Sequence, residues 1–469
     1  MKAPMRVVVV GGGITGLAAA HRAVELARER SIGLQLTLVD SRDRLGGTIA
    51  TEHAGGFLVE AGPDSFLSEK PWALALCKRL GVEHRLVRTD DRFRKVFVWR
   101  AGRLHPLPDG FQLVAPTKLG PFVTSGLFSW RGKLRMALDL VVPRSLRDDE
   151  SLGAFVRRRL GREALERVAQ PLVAGIYTAD PDELSLTATM PRFAELERRE
   201  RSIILGLWRA NRRAPQAGTS GARWSLFVTF QNGMHELVAE LATRLPPGSA
   251  LLKHRVDGIE RHGAAWRVLG GLGPALDAEH VILATESYTA GRLTRYIDPA
   301  LATLLGEIPY ASSATVSFGY RRADVPHPLD GFGIVVPRTE GRSLLACTFS
   351  SVKYAGRAPE GHALLRCFVG GALNERVLES DDAALTAVAR DELRQALGIT
   401  AEPVLARVAR WTKAMPQYHV GHAARVEAIE QCVAALPGLH LCGGAYRGVG
   451  IADCVRSGEA AAERVFGIV

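Results

Sequence analysis

Three glycines and one carboxylate are the residues whose types and spacing could do chemistry here: Gly11, Gly13, Gly16 and Asp40. Glycine at the first position makes a tight turn, at the second lets backbone approach a pyrophosphate, and at the third lets a helix pack closely on a strand. Gly12, Ile14 and Thr15 lie in the same turn, where the following helix points its free N–H groups at a diphosphate. Asp40 stands where a carboxylate bonds a ribose hydroxyl, and its charge repels a 2′-phosphate, so the spacing predicts a dinucleotide other than NADP. No nucleophile elbow, no carboxylate pair at hydrolase spacing and no metal-binding histidine cluster can be read from the sequence. The chemistry must therefore be carried by the bound cofactor.

The elements that must position these residues are legible around them. Four valines, Val7 to Val10, have no polar face and predict a parallel strand buried on both sides. The run LAAAHRAVELARER predicts a helix, and after a turn at Ser31 to Gly33, LQLTLVD alternates into a second strand ending on Asp40. The far end repeats this logic: LHLCGGAYRGVGIADCVRSGEAAAERVF reads as strand, glycine turn and helix, so Val449, Gly450 and Ile451 bring a second positive helix end to the cofactor. Between them, Trp72 to Leu80 predicts a helix stopped by Gly81. RFRKVFVWRAGRLHPLP predicts a hairpin whose Arg92, Arg94 and Lys95 form either a solvated edge or a contact for a substrate carboxylate. The uncharged stretch Leu119 to Trp130 is either core or an exposed apolar surface beside Lys118, Arg131, Lys133 and Arg135, as in a monotopic membrane contact. The arginine runs 157–159 and 198–201 read as solvated helix faces, and Gln216 to Gly221 as a linker. The strand-rich block from Arg292 to about Arg410 suits a mixed sheet with one face lining a pocket.

Composition sets the outer limits. A chain of 469 residues has room for about two to four domains and a large core. The first residues already read as the cofactor strand, so no signal peptide is expected, and no apolar run approaches the roughly 20 residues a membrane span needs. Six cysteines without Cys-x-x-Cys pairs predict reduced, mostly buried thiols and a cytoplasmic protein. The net charge of +11 suits an anionic substrate or an anionic membrane face. Nucleic acid is not expected, since no basic stripe with interleaved aromatics is present.

Arg44-x-Gly46-Gly47, directly after Asp40, resembles the second fingerprint of the FAD-containing amine oxidase superfamily. Nearly end to end, the chain resembles the family of protoporphyrinogen oxidase and bacterial coproporphyrinogen III oxidase. The likeness rests on VVVVGGGITGLAAA, DRLGGT, EAGPDSF, GIYTADPDELS leading to RSIILGLWRA, GFGIVVP, WTKAMPQY and GGAYRGVGIADC. Asp40 departs from the family's usual Glu, and Gly444 and Ala452 stand where Asn is frequent.

The resemblance implies an α/β fold with a discontinuous Rossmann-like FAD-binding domain (1–91, 222–291, 410–469). It adds a mostly helical membrane-contact domain (92–221) and a mixed-sheet substrate domain (292–409). It further implies that Glu60, Gly62, Pro63, Asp64 and Ser65 line the flavin edge, that Val256 meets the adenine, and that Trp411 belongs to the FAD site. Gly175 would offer its carbonyl to pyrrole N–H groups, Phe332, Val335 and Phe368 would pack on the macrocycle, and Arg94 or Lys95 would pair with a propionate. The activity implied is six-electron oxidation of protoporphyrinogen IX, using oxygen and releasing hydrogen peroxide, or of coproporphyrinogen III by the same route. A flavin amine oxidase, a carotenoid desaturase and a non-catalytic porphyrin-binding flavoprotein are the rival readings. A peripheral contact with the cytoplasmic membrane face and a homodimer complete the expectations.

Overall fold

The computed structural model describes residues 3–112, 115–145, 147–213, 225–270 and 274–468. The expected linker at 216–221 lies outside them. Strand Met5–Val10 is the centre of a five-stranded parallel sheet, flanked by Leu34–Val39 and His280–Leu283, with Ala250–Leu251 and Leu439–Leu441 at the edges. Its valines are at most 5 % exposed, as a strand covered on both faces requires. The first helix, Ile14–Glu29, packs against the C-terminal helix, Ile451–Val465. That approach depends on Gly458, where a Cβ would come within 2.2 Å of the Thr15 carbonyl oxygen. Helix Pro71–Leu80 ends at Gly81 in the left-handed conformation, as its sequence predicts.

A second, seven-stranded mixed sheet runs in the order Leu405–Pro416, Tyr310–Arg321, His362–Gly370, Leu344–Phe349, Gly333–Val335, Val96–Arg100 and Arg103–Pro106. The last two are the basic hairpin, and Val96–Arg100 joins the sheet by pairing in parallel with Gly333–Val335. Sequence division groups this hairpin with the helical unit; strand pairing attaches it to the large sheet instead. Backbone hydrogen bonds between strands far apart in sequence decided this, and no local pattern reports them.

The helical unit follows, and here one pair of alternatives is decided and one expectation is corrected. Phe122, Leu127 and Phe128 are buried and join Phe155, Val168 and Val173 in one cluster, so this part of the apolar stretch is core. The exposed apolar side chains come immediately after it: Trp130, Leu134 and Leu138 at fourfold spacing, then Leu140 and Val141. Arg159, expected on a solvated face, is fully buried with its Nε 2.6 Å from Asp139 Oδ1 and further bonds to the carbonyls of Val142 and Asp139. Arg158 pairs with Glu197 at 2.7 Å. Carboxylates from other segments turned a charge run into a buried network. Arg157 alone of the three stays half exposed, paired with Asp182.

Candidate active site

The turn after strand Met5–Val10 has the geometry its glycines predict. Gly11 takes φ +107, and a Cβ there would fall 2.6 Å from the Ala284 carbonyl oxygen. A Cβ on Gly16 would fall 1.8 Å from the carbonyl oxygen of Gly11, so helix and turn touch. At Gly13, by contrast, a Cβ would meet nothing within 4 Å, and Gly443 faces similar space, its nearest atom 3.8 Å away. These two glycines leave room beside their backbone, while the other two are closed against protein. Gly13 and Gly450 are also the N-caps of the first and C-terminal helices, and neither supplies a side-chain cap. Ile14, Thr15 and Ile451 begin those helices with their first N–H groups available to an anion.

Asp40 accepts from the Gly12 N–H at 2.6 Å and from the Arg42 N–H at 2.8 Å, which fixes its carboxylate at the end of its strand. The Arg-x-Gly-Gly turn is braced by its own arginine, since Arg44 donates to the carbonyls of Gly47 at 2.8 Å and Ile49 at 3.0 Å. Gly46 and Gly47 both have positive φ, and Gly46 donates to the Gly12 carbonyl at 2.8 Å, joining the two fingerprints. Val256 is buried at the start of a small hairpin sheet. Val449 precedes the C-terminal helix.

Segment 60–65 is held from the large sheet. The Ala61 carbonyl accepts from Trp411 Nε1 at 2.9 Å and from Thr315 Oγ1 at 3.0 Å, and the Gly62 carbonyl accepts from Arg366. No side chain fits at Gly62, where a Cβ would lie 1.7 Å from the Thr48 carbonyl oxygen. Beyond Pro63, Asp64 accepts from Ser65 Oγ at 2.7 Å and lies 3.3 Å from Lys353 Nζ. Burial raises the Asp64 pKa, but the charges of Lys353 and Arg366 outweigh it and hold the carboxyl at about 2. Burial lowers the Lys353 pKa, but the Asp64 carboxylate outweighs it and raises the pKa above the usual lysine value.

The expected substrate residues divide. Gly175 lies near the end of helix Gln170–Tyr177, which follows directly on a π-helical turn at Leu165–Ala169. The Thr178 N–H closes the helix on Ala174, so the carbonyl of Gly175 falls among those without an intrahelical donor. Val335, Ala346 and Phe368 pack in the cluster that contains Val173, and Ala346 Cβ lies 3.9 Å from where a Gly175 Cβ would stand. Phe332 is not in that cluster; its backbone pairs with Lys95 and Phe349. Arg94 and Lys95 sit at the exposed sheet edge, 62 % and 55 % exposed, beside Asp91 at 3.7 Å and Asp330 at 3.1 Å. The partly desolvated cation expected of them is absent at both positions.

Several residues went unread in the sequence. Lys353, Arg366 and Thr315 are brought to segment 61–64 by the sheet, Lys70 bonds Asp453 at 2.6 Å, and Tyr418 clamps the last glycine turn by donating to Gly444 and accepting from Gly448. Only Arg366 left a trace, as a charge inside the apolar strand HALLRCFVG. The cysteines match expectation: Cys442 and Cys454 are buried, and burial pushes their thiols up to about 12 and about 11. Among the described residues no group of three or more His, Cys, Asp or Glu could hold a metal ion.

Comparison with known proteins agrees with this geometry. Coproporphyrinogen III oxidase of Bacillus subtilis is 38% identical over 458 residues, covering 97% of this chain and 96% of the relative. Protoporphyrinogen oxidase 1 of Arabidopsis thaliana chloroplasts is 29% identical, covering 96% of this chain and 85% of its own length. A solved structure from Exiguobacterium sp. 255-15, described as a candidate protoporphyrinogen oxidase, superposes with a TM-score of 0.86 at 32% identity and 99% coverage of both chains. The family model for flavin containing amine oxidoreductases matches residues 14–466. The chain therefore belongs to the flavin-containing amine oxidoreductase family.

Proposed function

We propose that this chain is an FAD-dependent porphyrinogen oxidase that converts protoporphyrinogen IX to protoporphyrin IX. The observation that carries the reading is the end-to-end match to porphyrinogen oxidases, joined to glycine turns that leave open space at Gly13 and Gly443. A second reading, oxidation of coproporphyrinogen III, is favoured by the 38% identity to a relative of that name against 29% for the plant enzyme. FAD when bound supplies the hydride acceptor. The chain's residues would hold it from both ends: Gly11 to Gly16 and Val449 to Ile451 at the diphosphate, Asp40 at a ribose, Arg44, Gly46 and Gly47 along the extended cofactor, Val256 at the adenine, and Gly62 to Ser65 with Trp411 at the ring.

Four pyrroles activate the methylene carbons of the substrate, so no strong general base is required of the protein. The Gly175 carbonyl would accept from pyrrole N–H groups and orient the macrocycle, while Val335 and Phe368 would supply apolar contact that keeps water away. Each of three steps removes a hydride and a proton, and three molecules of oxygen leave as hydrogen peroxide, which balances the six electrons. The test is porphyrin fluorescence and oxygen uptake on adding each porphyrinogen to purified protein. We expect porphyrin to appear with three peroxides per macrocycle; rates no faster than buffer for both substrates would end the reading.

No described helix is long and apolar enough to cross a membrane. The exposed stripe Trp130, Leu134, Leu138, Leu140 and Val141 beside Arg131 supports a peripheral contact with an anionic cytoplasmic membrane face. A second copy of the chain, giving a homodimer, is the other occupant the stripe could take.

A further inference from the structure

Where the large sheet meets segment 60–65, five ionisable side chains come together, Glu60, Arg357 and Arg366 buried and Asp64 and Lys353 largely so. Two carboxylates face three cations, which leaves one positive charge in excess. Asp64 is matched by Lys353 at 3.3 Å. Glu60 accepts from Thr51 Oγ1 and the Met234 N–H, each at 2.7 Å, and Arg357 donates to Thr229 Oγ1 and to the carbonyls of Phe230 and Gln231. Arg366 is different. It is 5 % exposed, its Nη2 donates to the carbonyls of Ala61 and Gly62, its guanidinium lies 4.7 Å from the centre of the Phe368 ring, and its buried Nε has no partner.

A guanidinium does not lose its proton, and an unmatched charge in a low-dielectric site is costly until an anion forms beside it. Flavin that takes up two electrons and one proton carries a negative charge on its pyrimidine edge at neutral pH, and charge beside the ring tunes its electronics. We infer that Arg366 is a positioning residue for the flavin: its Nη2 holds the carbonyls of Ala61 and Gly62 in place, and the positive charge this cluster carries in excess makes the bound flavin easier to reduce. This inference rests on the FAD-dependent reading above. It assigns the charge to the cofactor rather than to a substrate carboxylate, because the guanidinium bonds the backbone of the flavin-edge segment.

The test is the midpoint potential of the FAD-loaded protein, measured anaerobically against a reference dye, for wild type and for Arg366→Met, Arg366→Gln and Arg366→Lys. Met removes charge and donors, Gln keeps a donor for Gly62, and Lys keeps the charge. Met and Gln should each shift the equilibrium at least about tenfold toward oxidised flavin, which is about 30 mV for a two-electron couple. Lys should return most of that shift. An unchanged potential in FAD-loaded Met or Gln protein overturns the inference, including the case where KM for porphyrinogen rises instead. Loss of FAD from all three variants, Lys included, also overturns it by giving Arg366 a folding role alone. Wild type that purifies without FAD would overturn the functional reading itself, a result distinct from either.

Discussion

At the scale of single residues, the glycines separate into those that face protein and those that face open space. Gly13→Val should fold, because a Cβ there meets no atom, yet it should lose the yellow colour, because the side chain occupies the room left for diphosphate. Gly16→Ala should instead melt early, since its Cβ would lie 1.8 Å from the Gly11 carbonyl oxygen; overpacking of this kind costs about 1–3 kcal/mol or more. Thermal melts and the flavin absorbance of the two purified variants check the contrast, and a Gly13→Val protein that keeps stoichiometric FAD would remove the diphosphate from this turn. For the cations of the hairpin the exposure decides the magnitude. Arg94 and Lys95 are more than half exposed beside carboxylates, where an ion pair contributes about 0–1 kcal/mol. The double change to Ala should therefore raise KM by less than about fivefold, with FAD content unchanged. A tenfold or larger rise in steady-state KM would restore them as propionate contacts.

Elements bring a second set of consequences. In the helical unit, Arg159 and Asp139 are both fully buried, and Asp139 also accepts from Ser202 Oγ and the Ile204 N–H. Arg159→Met leaves that carboxylate without its cation and should cost about 3–5 kcal/mol in urea unfolding. Arg157→Ala, which breaks a half-exposed pair, should cost less than about 1 kcal/mol. Equal costs would mean that the buried network is not what holds these helices together. At the last glycine turn, His422 stacks on Tyr418 with ring centroids 4.0 Å apart and donates from Nε2 to the Tyr446 carbonyl at 2.8 Å. Burial lowers its pKa to about 4, and does the same for His440. A histidine kept neutral in the fold takes up a proton more readily when unfolded, so stability is undiminished above about 6.5 and falls as pH drops from there toward 4. Each such histidine contributes about 1.4 kcal/mol per pH unit within that window. His422→Gln should flatten the fall in melting temperature by one proton's worth; an identical pH profile would show that His422 titrates normally.

For the whole molecule, the stripe from Trp130 to Val141 is an apolar surface that folding leaves uncovered. Its apolar side chains are 50 to 75 % exposed and adjoin cations, whereas Phe122 and Leu127 beside them are 6 % and 0 % exposed. Trp130→Glu with Leu134→Glu should therefore leave folding intact and reduce sedimentation with anionic liposomes several-fold, an effect that salt should weaken but not abolish. Aspartate at Phe122 or Leu127 would test only the core. If wild type ignores liposomes but the double variant changes its sedimentation-equilibrium mass, the stripe is a contact between copies of the chain.

By itself, the sequence determined those parts in which the signal is local. The buried strand Val7–Val10, the glycine spacing to Gly16, the acid at Asp40 and the repeated strand, turn and helix at Gly443–Ile451 each depend on residues within one or two turns of chain. These amount to the cofactor half of the molecule, and the resemblance carried by the same motifs led to its chemistry. Tertiary structure decided what long-range pairing controls. It moved the hairpin at 96–106 into the large sheet, turned Arg159 inward onto Asp139, and buried Phe122 and Leu127 while leaving Trp130 and Leu134 outside. It also gathered Thr315, Lys353, Arg366 and Trp411 onto segment 61–64 from positions 254 to 350 residues away. A charge within an apolar strand is visible in one dimension, but the carbonyls it bonds reach it only once the strands have paired.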